Sequence, residues 1–465
     1  MSLVLRPLRA AWSFGSVAAG LVLALAVMAQ PALAADEAPA ENAKPAPKET
    51  FKEQFEEVWT RDKFTGDWGG WRTDLQDHGI DAEFRLSQYG QWVADGGVES
   101  TRGGYGGTMD YRVNADLEKL FGLWDGLSVN MHARSRWGQD VNADAGAFAL
   151  PSAGMIMPLP GTYTGTDVTG LTITQTMPAF TGRTLEVSLG KLDVFDVVTG
   201  FFPWAAYGQE GFWNVNAFVS ALPWFGAVQG LSLYGGMAFT INQEYQAVES
   251  GFIVTGTQGV SDNWNSVQDS FDEGVWIAAF QRFFWKLDNK PGNFLIFAGG
   301  STRDQPSNDP HDFTNIPGQG IASTKKERPW DIAAYIYQVF WQAEDNPNRK
   351  ATIVIAGTGG PDDPQFAQWH LFTAVEAYGP IASRPLDRMG VSFWHNWLSD
   401  NFKDLVGSVP PPTGSRLRDT WGVELYYNVE INKWLHVTPD LQFIENENKG
   451  DDLAIIPGIR VVMDF

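Results

Sequence analysis

From Ile80 onward the chain alternates apolar and polar residues. In "IDAEFRL", Ile80, Ala82, Phe84 and Leu86 share one side, while Asp81, Glu83, Arg85 and the following Ser87 share the other. "TMDYRVNADLE" sets Met109, Tyr111, Val113, Ala115 and Leu117 against Asp110, Arg112, Asn114, Asp116 and Glu118. "LSVNMHARSRW" sets Leu127, Val129, Met131 and Ala133 against Ser128, Asn130, His132, Arg134 and Arg136. A period of two is the mark of a strand with one apolar face and one wet face. Runs of about ten residues match the length a tilted strand needs to cross a bilayer. The pattern predicts sixteen strands, at 80–94, 106–118, 126–138, 168–177, 184–192, 211–220, 230–240 and 274–284, then at 293–301, 330–341, 350–358, 369–378, 388–397, 418–430, 434–444 and 453–465. Two of these, 211–220 and 330–341, alternate poorly. The last runs to the C-terminal residue, with Ile459, Val461, Met463 and Phe465 opposed to Arg460 and Asp464.

The connections alternate as well. Those at 95–105, 139–167, 193–210, 241–273, 302–329 and 398–417 are long, with 359–368 and 445–452 as weaker members of the set. Those at 119–125, 178–183, 285–292, 342–349, 379–387 and 431–433 are short. Long loops on one rim and short turns on the other describe an outer-membrane barrel with its turns in the periplasm. Lipid offers no hydrogen-bond partner, so a sheet in it must close and leave no free edge. The expected fold is therefore all-β, a transmembrane antiparallel barrel of about sixteen strands whose last strand pairs with its first. Phe465 is then expected at the periplasmic interface, where aromatic rings are favoured, and as the contact for the barrel-assembly machinery. A soluble sandwich or propeller also alternates, but does not predict these connection lengths together with so many charges on one face and an export signal.

The N-terminal region reads differently. Arg6 and Arg9 precede an apolar run from Val17 to Ala29 and the small residues Ala32-Leu33-Ala34, which predicts a secretory signal peptide over 1–34. Residues 35–49, rich in Ala, Pro and charge, predict a disordered linker. Thr50 and Glu53 fit a capping box, and Phe51, Phe55, Val58 and Trp59 fall on one helical face. A second short helix is expected from Trp71 to Gln76, ending at Gly79. Residues 50–79 thus form a helical segment ahead of a barrel domain at 80–465.

Composition narrows the function. The 465 residues carry a formal charge of −22, which becomes −24 without Arg6 and Arg9, so nucleic acid is not an expected partner. There is no cysteine, which removes disulfides and thiolate metal sites. The chain has 20 Trp and 30 Phe yet no long apolar run after the signal, as expected of strands that face lipid. The six histidines are scattered and neither HExxH nor GxSxG occurs, so an enzyme, a metal or a cofactor is not expected.

Two stretches resemble the carbohydrate-selective (OprB-type) porin family. The first is Gly66-Asp67-Trp68-Gly69-Gly70 with Arg72, Leu75 and Gly79. The second holds Tyr426-Tyr427-Asn428, Trp434 and Thr438-Pro439-Asp440-Leu441-Gln442. The resemblance spans Phe64 to Phe465 and is strongest at the two ends; "ENENKGDD" departs from it in the last outer loop. It implies a sixteen-stranded barrel through which small carbohydrates diffuse across the outer membrane. It also implies a narrow, arginine-rich constriction with acidic and aromatic neighbours.

Reading the residues themselves, the candidate pore-lining set is Arg85, Arg112, Arg134 and Arg136 with Glu83, Asp110 and Asp116, all on the polar faces of three consecutive strands. Guanidinium groups donate to hydroxyl oxygens and carboxylates accept from hydroxyls, which suits a neutral polyol. Trp394 and Tyr426 are candidate lumen aromatics. For each arginine the alternative is a salt bridge that only shapes the wall. Trp92, Trp124, Trp137 and Trp421 read as girdle residues. The Gly-, Pro- and Met-rich loop 139–167 either folds inward or caps the outside. Lipid is a further partner, and a homotrimer is expected by analogy of fold alone. The alternatives in function are a general or anion-selective porin and a soluble periplasmic sugar-binding or sugar-cleaving protein.

Overall fold

A computed structural model of the chain describes residues 57–98, 103–147, 164–217, 232–259, 267–316, 320–408 and 416–465. Sixteen long strands among the described residues close into one antiparallel barrel. They are β1 (Ile80–Trp92), β2 (Gly103–Asp116), β3 (Leu127–Gly138), β4 (Gly165–Pro178), β5 (Arg183–Asp193), β6 (Ser232–Asn242), β7 (Ala247–Gly256) and β8 (Val275–Leu287). There follow β9 (Lys290–Ser301), β10 (Trp330–Gln342), β11 (Lys350–Gly359), β12 (Ala367–Tyr378), β13 (Arg388–Leu398), β14 (Thr420–Asn432), β15 (Leu435–Glu445) and β16 (Asp452–Asp464). Each strand pairs with its neighbours in sequence, and the seam is β1 against β16, with Arg85 opposite Asp464 and Gln91 opposite Gly458. The closed seam is what the C-terminal alternation requires.

One expected strand and one expected loop are corrected. Residues 211–217 form no strand; they lie buried inside the barrel. The stretch 241–273, read as one long loop, contains β7. Because one strand is lost and one gained, the count of sixteen and the alternation of turns and loops both stand. The short turns include 243–246, 288–289 and 433–434, and the long connections include 194–231, 257–274 and 302–329.

The outer face is apolar and exposed: Ile173, Leu189, Phe252, Ile277, Phe283 and Ile355 point away from the lumen. This is the lipid-facing band of a bilayer-spanning barrel. At the short-turn rim, Phe64 lies 4.9 Å from Trp434 and 5.5 Å from Phe465, ring centre to ring centre. The Arg72 guanidinium donates to the Phe465 main-chain carbonyl at 2.7 Å. Both halves of the aromatic-rich terminal motifs thus meet at one seam.

The expected short helix is present as α1 (Trp71–Asp77), capped at His78. Gly79 follows at φ +94°, a conformation that disfavours a side chain, and a Cβ there would meet Lys119 Cβ at 2.8 Å. Residues 57–60 are helical; the rest of the expected 50–62 helix, the linker and the signal segment lie outside the described residues. A second short helix, α2 (Leu117–Phe121), begins where Asp116 accepts hydrogen bonds from the Glu118 and Lys119 amides. Asp116 is therefore a helix cap at the turn rather than a residue of the lumen wall.

Candidate functional site

The lumen is divided by the connection that follows β5. It opens with α3 (Val194–Phe201), whose N-cap is Asp193; the carboxylate accepts from the Phe195 amide at 2.8 Å. Val194, Phe195, Val198 and Phe201 are buried. Beyond the helix come Phe202, Trp204, Phe212 and Trp213, each at most 5 % exposed. A segment this apolar is driven out of water and onto apolar wall. The facing wall provides it, with Phe239, Phe280, Tyr335, Phe372 and Tyr426 turned inward. Ring centroids of 4.7 Å for Phe201 and Phe280, 5.0 Å for Trp204 and Tyr335, and 4.9 Å for Phe212 and Tyr426 are edge-to-face contacts. Gly458 on β16 makes room for this packing, since a Cβ there would lie 2.6 Å from the Trp213 ring.

The backbone of the inserted segment is held by buried polar side chains of the wall. Arg460 donates to the carbonyls of Gly208 at 2.5 Å and Gly211 at 2.8 Å. Arg388 donates to the Trp204 carbonyl at 3.0 Å and pairs with Glu376 at 2.7 Å. Glu424 accepts from the amides of Trp213 and Asn214. Asn214 donates to Gln442 at 2.8 Å, and Tyr335 donates to the Phe201 carbonyl at 3.0 Å. Buried main-chain groups without such partners are costly, so these contacts fix where the segment sits.

The residues expected to line a pore fall into two groups. Arg85 pairs with Asp464 at 2.6 Å and with Glu210 of the inserted segment at 2.8 Å. Arg134 is 3 % exposed and bridges Asp110 at 2.7 Å and Asp193 at 3.2 Å. His132 stands between Asp110 and Asp196, at 2.8 Å from each. Arg136 is 3.4 Å from Asp167 on the next strand. Trp394 is buried in the aromatic packing, and the Tyr426 hydroxyl donates to Glu376 at 2.6 Å. These groups tie the wall to itself or to the inserted segment. Glu83 and Arg112 face open space instead, and Arg112 lies 3.7 Å from Asp196.

That space is a cavity of about 650 Å³ on the lumen side of β1 to β7, toward the short-turn rim. The inserted helix borders it through Asp196, Val197, Gly200 and Phe201. A polar ladder crosses its wall. Asn114 donates to Asn130, Asn130 donates to Thr174 at 3.0 Å, and the Thr174 and Ser188 hydroxyls are 2.8 Å apart. Asp81 and Glu83 stand at one flank, Glu186 and Lys191 at the other.

The alternation placed Arg460 on the polar face of the last strand but not among the pore candidates, and it did not single out Asp193, Asp196, Glu186, Lys191 or Arg388. A usable signal existed for one pair: Asp193 before an apolar run with Asp196 three residues later is a helix-start pattern. The His132, Asp193 and Asp196 ligand atoms lie within 4.8 Å of one another. Arg134, paired with Asp193, and Arg112, close to Asp196, already supply positive charge there.

Comparison with known proteins agrees with this architecture. The carbohydrate-selective porin, OprB family, model matches residues 101–465. Porin B of Pseudomonas aeruginosa is 23 % identical over 435 residues, covering 86 % of this chain and 90 % of that protein. The high-pH structure of Pseudomonas putida OprB superposes with a TM-score of 0.71 at 17 % identity, over 87 % of this chain and 99 % of that one. The low-pH structure of the same protein gives 0.52 at 16 % identity, over the same shares.

Proposed function

The chain belongs to the carbohydrate-selective porin family, channels of the bacterial outer membrane, and on that premise we propose that it passes small neutral sugars such as glucose by passive diffusion beside the inserted segment. The observation that carries this reading is the cavity of about 650 Å³ walled by the Asn114–Asn130–Thr174–Ser188 ladder. Amide and hydroxyl groups both donate and accept, as a sugar hydroxyl does, so each hydration bond of the solute can be exchanged for one to the wall. Arg112 and Lys191 add donors, and Glu83 and Glu186 add acceptors. Arg85 and Arg134 act one step removed, by holding the segment that narrows the lumen, and Arg136 ties the wall to itself.

Reconstitution into liposomes with radiolabelled glucose tests this. Glucose is expected to enter faster than into protein-free liposomes, and added glucose is expected to lower single-channel current. Arg112→Ala is expected to reduce the sugar-dependent block while the channel stays open to ions. Current indifferent to added glucose and malto-sugars would favour a general porin and defeat this reading. Recovery of the protein in the water-soluble fraction would defeat the channel itself.

A further inference from the structure

We propose that the passage also selects by charge: it admits cationic and neutral solutes and retards anions, so that an amino sugar crosses more readily than the matching sugar acid. This rests on the channel reading above and adds a substrate preference to it.

Among the described residues the charges on the cavity wall do not balance. Asp193 and Asp196 line the cavity but are compensated. Asp193 is paired with Arg134, and Asp196 is close to His132 and Arg112. Three further carboxylates line it without any ion pair, namely Asp81, Glu83 and Glu186. The Gln76 side-chain amide donates to Asp81 at 2.8 Å, a neutral partner that leaves the charge uncompensated. Against these three stands Lys191, which with Arg112 makes up the cationic lining. The two sets differ in placement too. Lys191 is 3 % exposed, set back in the wall, whereas Glu83 is exposed to the lumen.

The lining therefore presents net negative charge where the passage meets the short-turn rim. Carboxylates around a pore favour cations, and low-dielectric walls focus their field on the permeating solute. Arg85 and Arg134 are spent on Asp464, Glu210, Asp110 and Asp193, and Arg112, which does reach the open space, lies 3.7 Å from Asp196.

The measurement is the reversal potential of single channels in a planar bilayer under a tenfold gradient of potassium chloride. The expected sign is that of potassium permeating faster than chloride. The preference is expected to fade as salt rises from about 0.1 M to about 1 M, because the screening length falls from about 10 Å to about 3 Å. In liposomes, glucosamine is expected to enter faster than gluconate. The combined variant Asp81→Asn, Glu83→Gln, Glu186→Gln is expected to shift the reversal potential toward zero or past it. Its folding is checked by heat-modifiable migration on a detergent gel. Chloride preference in the unmodified channel would overturn the inference whether or not the variant folds. So would a reversal potential that a folded variant leaves unchanged. Either result can occur with glucose block intact, and absence of glucose block with potassium preference intact would defeat the sugar reading instead.

Discussion

The two sides of the lumen are built on the same strand pattern and reach opposite ends. Along β1 to β7, toward the short-turn rim, the inward positions carry Asn, Thr, Ser and charge, and the space in front of them is open. Along β8 to β16 the inward positions carry Phe, Tyr, Trp and Val interleaved with buried polar groups such as Arg388, Glu424 and Arg460, and the inserted segment packs on them. In the first region the wall bonds to itself sideways, rung to rung. In the second it bonds across the lumen, from Arg460, Arg388 and Glu424 to the backbone of the insert. A barrel of sixteen strands is wide enough to stay open, so a narrow passage has to be constructed. Here it is made by packing one side solid and leaving the other wet. Stability and selectivity are thereby placed in different residues.

The most severe disruption of this division is expected from Trp204→Ala. The ring is buried against Tyr335 and Phe372, and its indole nitrogen donates to the Ala217 carbonyl at 2.8 Å. Removing a large buried aromatic costs about 4 kcal/mol, through lost burial and the cavity left behind. The temperature at which the barrel loses its heat-modifiable form should fall clearly. Arg460→Ala comes next. It strips the Gly208 and Gly211 carbonyls of their buried donor, at a cost of about 3 kcal/mol to docking of the insert. Since each 1.4 kcal/mol is a factor of about ten in population, the insert should leave its seat much more often. Single-channel recordings should then show larger and noisier openings. A steady conductance equal to that of the unmodified channel would mean that the aromatic packing alone holds the insert.

The same division explains what the sequence disclosed. Strands with one face to lipid and one to water alternate cleanly, which is why β1, β2 and β3 were read closely. On β10 the lumen face is itself apolar, with Tyr335 and Val339 buried between exposed Ile336 and Phe340. Both faces are then oily, so the alternation fades although the strand is real. The mistaken strand at 211–220 has the same origin. Its described part, "GFWNVNA", is apolar because it is buried inside the barrel, and a short apolar run has no local mark to tell an insert from a strand. β7 was missed because "AVESGFIVTG" breaks its alternation at Ser250-Gly251, and its pairing with β6 is irregular between Thr240 and Ile241. The pore candidates were found by residue type, but their pairing was not. Whether Arg134 meets a sugar or Asp193 depends on where a loop sixty residues away is placed, and one-dimensional spacing carries no trace of that.

The smallest effect on stability, and the most telling for the comparison, is expected from Thr174→Val. The Thr174 hydroxyl accepts from Asn130 at 3.0 Å and is 2.8 Å from Ser188. The substitution keeps the shape and removes both bonds. Asn130 is half-buried at the cavity and turns to its water, while only Ser188 is buried, so the net loss is about 1 kcal/mol. A rung in the packed region behaves otherwise. Asn214 and Gln442 are both buried, so removing either side chain leaves its partner with no water to turn to, at about 2 kcal/mol. The two variants, Thr174→Val and Asn214→Leu, should therefore separate in opposite senses. The first should keep its unfolding temperature and lose glucose block of the current; the second should unfold earlier and, where folded, keep the block. Equal loss of stability in both would mean that the ladder is as dry as the aromatic side, and a dry ladder could not carry a hydrated sugar.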